Sequence, residues 1–305
     1  MKIYYKGEND ETFHLLDEPV EGCWIHVDEV SSGELVKLAK YLNCEYTDIS
    51  DALDKYEVPR VDCIDHFVMF FTRHPSNQEI GLQTTTLTII ISEHYFITLC
   101  PHKSPLIQRF IDQNPNINTS AKTRLLLLML LKITQEFTVE IKKIRTKVLQ
   151  QEKGMQEVES EDITSLTISE ENLNQYLASL VPMRNVFQSI SMGKYLVLSE
   201  KDQELLEDLL NASIQSEELC SVILRTIRSL RDSYQIIFTN QLNKTIKLLT
   251  SLTIILNIPT MVASLYGMNV GLPLSESRFA FEYIMLFIAV MSILSYIIFQ
   301  KRRWL

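Results

Sequence analysis

Glycine and proline are scarce, eight and nine in 305 residues. That scarcity excludes collagen-like and linker-rich chains and favours long helices with few breaks. The five cysteines are an odd number, widely spaced, with no Cys-x-x-Cys pair. Zinc-site and disulfide-framework spacings are therefore missing, and all five read as reduced core thiols in a cytosolic compartment. No phosphate-binding loop, dinucleotide glycine pattern, nucleophile elbow or His-Glu-x-x-His occurs, and the six histidines lack metal-ligand spacing. An enzyme is not expected, and no cofactor is implied. A basic excess is missing too: the formal net charge of −9 argues against a general nucleic-acid binder. The first ten residues are polar, without the apolar core of a signal peptide, so C-terminal segments are expected to direct any membrane insertion.

The most informative absence is local. From Leu248 to Tyr266 no residue is charged, and between Arg278 and Lys301 only Glu282 is. Beyond residue 247 lie four bases and two acids; with −9 for the whole chain, the preceding 247 residues carry −11. The mean hydropathy of +0.03 thus averages an acidic soluble region with an apolar tail. Two membrane spans are predicted, about 248–266 and about 281–299, each near the ~20 residues that cross a bilayer. The apolar run Leu125 to Leu131, between Arg124 and Lys132, is too short and reads as the core stretch of a soluble helix. Lys244 and Lys247 precede the first span, and Lys301, Arg302 and Arg303 follow the second. The positive-inside bias then places both ends in the cytoplasm and the short loop outside, with Tyr266 and Trp304 as interfacial aromatics.

The first span carries Thr250, Thr253, Asn257, Thr260 and Ser264 at steps of three and four, one helical face. Extended backward, that face includes Asn243 and either Ile246 or Leu249. Polar groups in a membrane need partners or water, so the stripe faces another helix or an aqueous path. One stripe cannot enclose a pore; a pore requires several chains around an axis.

Residues 1 to about 105 alternate strand and helix signals and predict an α/β domain with a mixed sheet. Residues 23–27 read as a strand, and Ser31 with Glu34 forms a capping box that opens a helix through Leu42. Val61 to Thr72 reads as strand, with Asp65 and His66 on it as structural residues and Glu57, Asp62 and Asp65 as a solvated edge. Thr84 to Ser92 and Tyr95 to Cys100 predict a hairpin around Glu93-His94. Helices are predicted over about 120–152, about 170–195 and from Ser199 onward. No Gly or Pro interrupts Ser199 to Ile258, so the third can run into the first span. As one helix from Glu200 to Tyr266 it would reach about 100 Å at 1.5 Å per residue, with Pro259 the residue at which a kink is expected. The predicted domains are 1–118 (α/β), 119–247 (helical, with the stalk) and 248–305 (two spans).

At the end of the first span stands Tyr266-Gly267-Met268-Asn269, and the chain ends Lys301-Arg302-Arg303-Trp304-Leu305. A Gly-Met-Asn triplet in this place, with that basic-aromatic ending, resembles the CorA family of divalent-cation transporters. The likeness extends through Asn243-Lys244 and Lys247-Leu248-Leu249-Thr250, and more loosely through Leu53–Arg60 and Asp65–Phe71. It implies a funnel-shaped homopentamer in the plasma (inner) membrane, each subunit giving an α/β cytosolic domain, long helices and two C-terminal transmembrane helices. Five copies of the stripe would then line an aqueous pore for Mg²⁺, with Co²⁺ or Ni²⁺ as further cargo. A ring of Asn269 amides would accept hydrogen bonds from the waters that Mg²⁺ releases reluctantly. Gly267 would permit the turn leaving the helix, Met268 would pack behind it, and Ile246 and Leu249 would form a hydrophobic gate. Asp208 falls where the family carries part of a regulatory divalent-ion site between subunits.

The chain departs from the family pattern as well. Val270-Gly271-Leu272-Pro273-Leu274-Ser275 lacks the acidic motif that many members carry after the triplet, and the first acid is Glu276. Ser264 and Asn257 replace a frequent glycine and methionine. A zinc transporter resembling ZntB, or a membrane-anchored sensor or scaffold without transport, are the alternative readings.

Overall fold

The computed structural model describes residues 1–8, 10–79, 82–114, 117–153, 160–273 and 277–304. The chain divides into two compact units, a globular unit running to Leu230 and a second from Arg231 onward. In the globular unit the strands are β1 (Lys2–Tyr5), β2 (His14–Leu16), β3 (Trp24–Asp28), β4 (Arg60–Ile64), β5 (Phe67–Glu79), β6 (Leu82–Ser92) and β7 (Phe96–Cys100). They form one mixed sheet in the order β2-β1-β3-β7-β6-β5-β4. Among the described strands only β3 and β7 run parallel, Trp24 opposite Phe96 through Asp28 opposite Cys100.

Helix α1 (Ser32–Leu42) opens on the Ser31–Glu34 capping box and ends at Asn43 in a left-handed conformation. Its Leu35, Leu38 and Leu42 cover Ile25, Val27, Ile97 and Leu99 on one face of the sheet. On the opposite face Trp24 meets Phe96 and Phe110 edge-on, at 6.1 and 6.0 Å between ring centroids. Phe110 comes from α3 (Leu106–Gln113), which follows the short turn of helix α2 (Tyr46–Ile49) in chain order. Gly22 sits at φ +78°, where a side chain is strained, and a Cβ there would also lie 2.6 Å from Ser120 Oγ.

Long helices complete the unit: α4 (Lys122–Lys153), α5 (Ser160–Ser191) and the first part of α6 (Glu200–Tyr266). The apolar run predicted as a core stretch is one, since Leu125, Leu126, Leu127, Met129 and Leu130 are fully buried in α4. Arg124 Nη1 lies 3.7 Å from Asp202 Oδ1, and Thr138 Oγ1 lies 2.7 Å from Ser216 Oγ. Both pairs are 78 residues apart, so α4 and α6 run parallel in constant register. Arg184 Nη1 to Glu217 Oε2, 3.1 Å, ties α5 to α6. Burial raises the Glu217 carboxyl, with Arg184 opposing.

Several expectations need correction. The segment Val61–Thr72 is not one strand but a hairpin, because Asp65 at φ +21° turns the chain between β4 and β5. Asp65 and His66 are therefore turn residues. The acidic edge is an ion-pair cluster: Arg60 reaches Asp51 at 2.8 Å, Asp62 at 2.9 Å and also Glu57, while its guanidinium sits 4.3 Å from the Phe71 ring. Helix α5 begins at Ser160, ten residues before the predicted start, and stops at Ser191. Cys23, Cys100 and Cys220 are core thiols, whereas Cys44 is half-buried and Cys63 exposed. The β1–β2 hairpin had no clear sequence signal.

Candidate ion pathway

Helix α6 continues to Tyr266 with Pro259 inside it, and α7 (Ala280–Lys301) follows. Both are long and apolar enough to cross a membrane. At about 100° per residue, Asn243, Ile246, Leu249, Thr250, Thr253, Asn257, Thr260 and Ser264 fall within an arc of about 120°. All eight are exposed in the single chain. The residues of this stretch that lose exposure, Ser251, Ile255, Ile258, Pro259 and Val262, lie on the opposite face. Val262 there joins Tyr283, Ile284 and Phe287 of α7 around an apolar groove of about 640 Å³. On α7 the half-buried positions are Ala280, Ile284, Ile288, Ser292, Ser295 and Phe299, again a single face. The polar stripe thus points away from the α7 side.

The hydroxyls on the stripe have a defined polarity. Thr253 Oγ1 donates to the Leu249 carbonyl at 2.8 Å and Thr260 Oγ1 to the Leu256 carbonyl at 3.0 Å. With their protons given to the helix, both oxygens present lone pairs outward. Lone pairs suit the waters of a hydrated cation, which have only O–H groups to offer. Ile246 and Leu249 are 50% and 64% exposed, the two bulky apolar groups of the arc.

Gly267 donates its N–H to the Ala263 carbonyl at 3.0 Å, and Met268 its N–H to Leu265 at 3.2 Å, closing the helix. Gly267 is not in the left-handed region, and a Cβ there would meet Ala263 O and Ser264 O at 3.4 and 3.5 Å. The backbone at this turn is therefore one that residues other than glycine also adopt. Met268 is 52% exposed rather than packed within the chain. Asn269 follows in the loop, also exposed. Tyr266 Oη donates to the Pro273 carbonyl at 3.3 Å, a latch that periodicity did not reveal. Leu274, Ser275 and Glu276, like Leu305, lie outside the described residues.

The basic end is a structured cap. Arg303 adopts φ +57°, its N–H bonding Gln300 O, while Trp304 N–H bonds Phe299 O at 3.0 Å. This Schellman geometry brings Trp304 onto Phe299, with ring centroids 5.5 Å apart and planes 19° apart. Lys301, Arg302 and Arg303 are exposed around it. In the globular unit Asp208 is exposed on α6, and among the described residues no group of three acidic, histidine or cysteine side chains could hold a metal.

Known proteins share this sequence and architecture. Residues 21–302 match the family model described as CorA-like Mg²⁺ transporter protein. The cobalt/magnesium transport protein CorA of Methanocaldococcus jannaschii is 25% identical over 289 residues, 92% of this chain and 91% of that protein. The complete structure of the CorA magnesium transporter from the same organism superposes with a TM-score of 0.82 at 24% identity, covering 100% of this chain and 98% of that one. The full-length CmaX protein gives 0.75 at 18% identity, covering 100% and 98%.

Proposed function

This chain belongs to the CorA-like Mg²⁺ transporter family, and we propose that five copies assemble around their α6 stripes into a channel for hydrated Mg²⁺. Magnesium, with cobalt as a second cargo, is supported by the name of the M. jannaschii relative. The observation that carries the reading is the stripe itself. It is polar, exposed, opposite the α7 side, and it ends at Gly267-Met268-Asn269. Asn269 amide oxygens would meet the ion's bound waters at the mouth, and Ser264, Thr260, Asn257 and Thr253 would continue the acceptor lining. Ile246 and Leu249 would close the inner end by dewetting, with Asn243 below them. Gly267, at a backbone conformation open to other residues, would then serve the close approach of neighbouring subunits around the axis.

The division proposed is 1–118, 119–247 and 248–305, with the first two parts and both termini cytoplasmic and the spans in the plasma (inner) membrane. Lys301, Arg302 and Arg303 would hold the cytoplasmic end. An inside-negative potential favours entry by about 4.6 kcal/mol per 100 mV for a divalent ion. Asp208 is exposed and among the described residues has no metal partner set, so a neighbouring subunit would complete a regulatory site for the transported ion. In liposomes carrying a Mg²⁺-sensitive dye, the wild type is expected to give flux that Asn269→Ala reduces at least about tenfold. Unchanged flux in that variant, with normal assembly, would overturn the selectivity role. No flux with Mg²⁺ or Co²⁺ but flux with Zn²⁺ would replace the cargo, and no flux with any ion would leave a scaffold.

A further inference from the structure

The parallel pair β3/β7 creates a feature that ion transport does not use. After β3 the chain crosses to the α1 face of the sheet, and after β7 to the α3 face. In open α/β sheets such a divergence leaves a crevice at the carboxyl ends of the strands, where ligands bind. A cavity of about 400 Å³ lies there, within the globular unit and in the size range of small-ligand sites. Its walls carry Lys2 from β1, His26 and Asp28 from β3, and Lys103 and Ser104 from the segment entering α3.

His26 is the buried element, with its side chain 3% exposed. Its Nδ1 pairs with Thr98 Oγ1 at 2.9 Å, and the Trp24 indole donates to the same oxygen at 2.9 Å. The Asp28 carboxylate oxygen, 3.2 Å from Nε2, favours the proton on Nε2, and in that tautomer Nδ1 accepts from the Thr98 hydroxyl, whose oxygen also accepts from the indole. Nε2 lies 3.2 Å from Asp28 Oδ2, yet off the hydrogen-bond line, and is left without a hydrogen-bond partner. Asp28 Oδ1 accepts the Ser104 N–H at 3.2 Å. Ser104 Oγ accepts the Leu106 N–H at 3.2 Å, while Ile107 and Gln108 line the cavity at the first turn of α3. Amides of a first turn have no carbonyl one turn back, and the helix end favours an anion.

The geometry points to a small organic phosphate in this cavity, its phosphate on Lys2, Lys103 and the α3 first turn, its hydroxyls facing Asp28. Two lysines, a helix N-terminus and an unaligned buried imidazole N–H are a donor set for a phosphoryl group. The Asp28 carboxylate would repel a bare anion but accepts a hydroxyl, which selects a sugar phosphate or nucleotide over inorganic phosphate.

The full chain in detergent, free of Mg²⁺, is titrated with AMP, adenosine and inorganic phosphate by calorimetry. Saturable binding of AMP is expected, weaker binding of phosphate, and none of adenosine. Lys103→Ala, in an exposed loop, should weaken AMP at least about tenfold, and Asp28→Asn should erase the preference for AMP over phosphate. Lys201→Ala, outside the cavity, should leave binding unchanged. No saturable binding of AMP or phosphate to the wild type up to about 10 mM overturns the site, as does undiminished AMP binding in Lys103→Ala. Neither result bears on Mg²⁺ flux, so the channel reading stands or falls separately.

Discussion

In the globular unit Trp24, Phe70, Phe96 and Phe110 are fully buried, and the sheet carries helices on both faces. In the second unit α7 buries no residue, and most of the large apolar side chains of both spans stand exposed. The same chain therefore answers to two solvents. The first unit drives apolar area out of water by its own folding. The second meets lipid on its apolar surface and needs something else, water or another polar surface, against the stripe of α6. Glycine illustrates the contrast: Gly22 is favoured by its own left-handed backbone, whereas Gly267 has no positive φ and a Cβ there would meet the described residues at 3.4 Å or more.

That contrast can be broken by substitution. The largest effect is expected from Trp24→Ala, which should cost about 3–5 kcal/mol of globular-unit stability. Leu286→Ala on α7, where the side chain is 62% exposed, should cost only about 0.5 kcal/mol in detergent. Similar losses for the two, read by thermal unfolding of the full chain, would erase the distinction.

Acid should separate the units next. Burial lowers His74 from 6.5 to about 4, helped by Arg109 and Arg73 and opposed by the Pro75 carbonyl and Glu136. An unfolded imidazole takes its proton near 6.5 but the folded one only near 4. Globular-unit stability should therefore fall as pH drops through that window, by up to about 3 kcal/mol. His74→Gln is expected to flatten the profile of unfolding midpoint against pH. An unaltered slope would show that another group titrates. The smallest effect belongs to Arg303→Gly, which relieves a left-handed non-glycine at the α7 cap. It should stabilise that end by up to about 1 kcal/mol, measured as slower amide exchange in the last turn, and leave the globular unit untouched.

Much of the candidate pathway was legible in the sequence because its signals are local. Charge depletion marks a span by itself, a period of 3.6 places Thr253, Asn257 and Thr260 on one face, and a break-free stretch predicts the continuity of α6. The Ser31–Glu34 box and the β6–β7 hairpin are likewise contained in a few residues. Misses came where the deciding contact is distant or a turn is unmarked. Asp65-His66 carries no glycine or proline to announce the β4–β5 hairpin. The early start of α5 at Ser160 lies in a polar stretch whose periodicity is weak.

By itself, then, the amino-acid order determined the two apolar spans, the polar face of the first and the helix that reaches it, since each follows from neighbours within a turn or two. Only the tertiary structure decided that β3 lies parallel to β7, some seventy residues on, that α4 and α6 run in constant register, and that the stripe faces away from the α7 side. Those outcomes depend on which buried surfaces fit together across the fold, and the cavity beside His26 exists only because of the first of them.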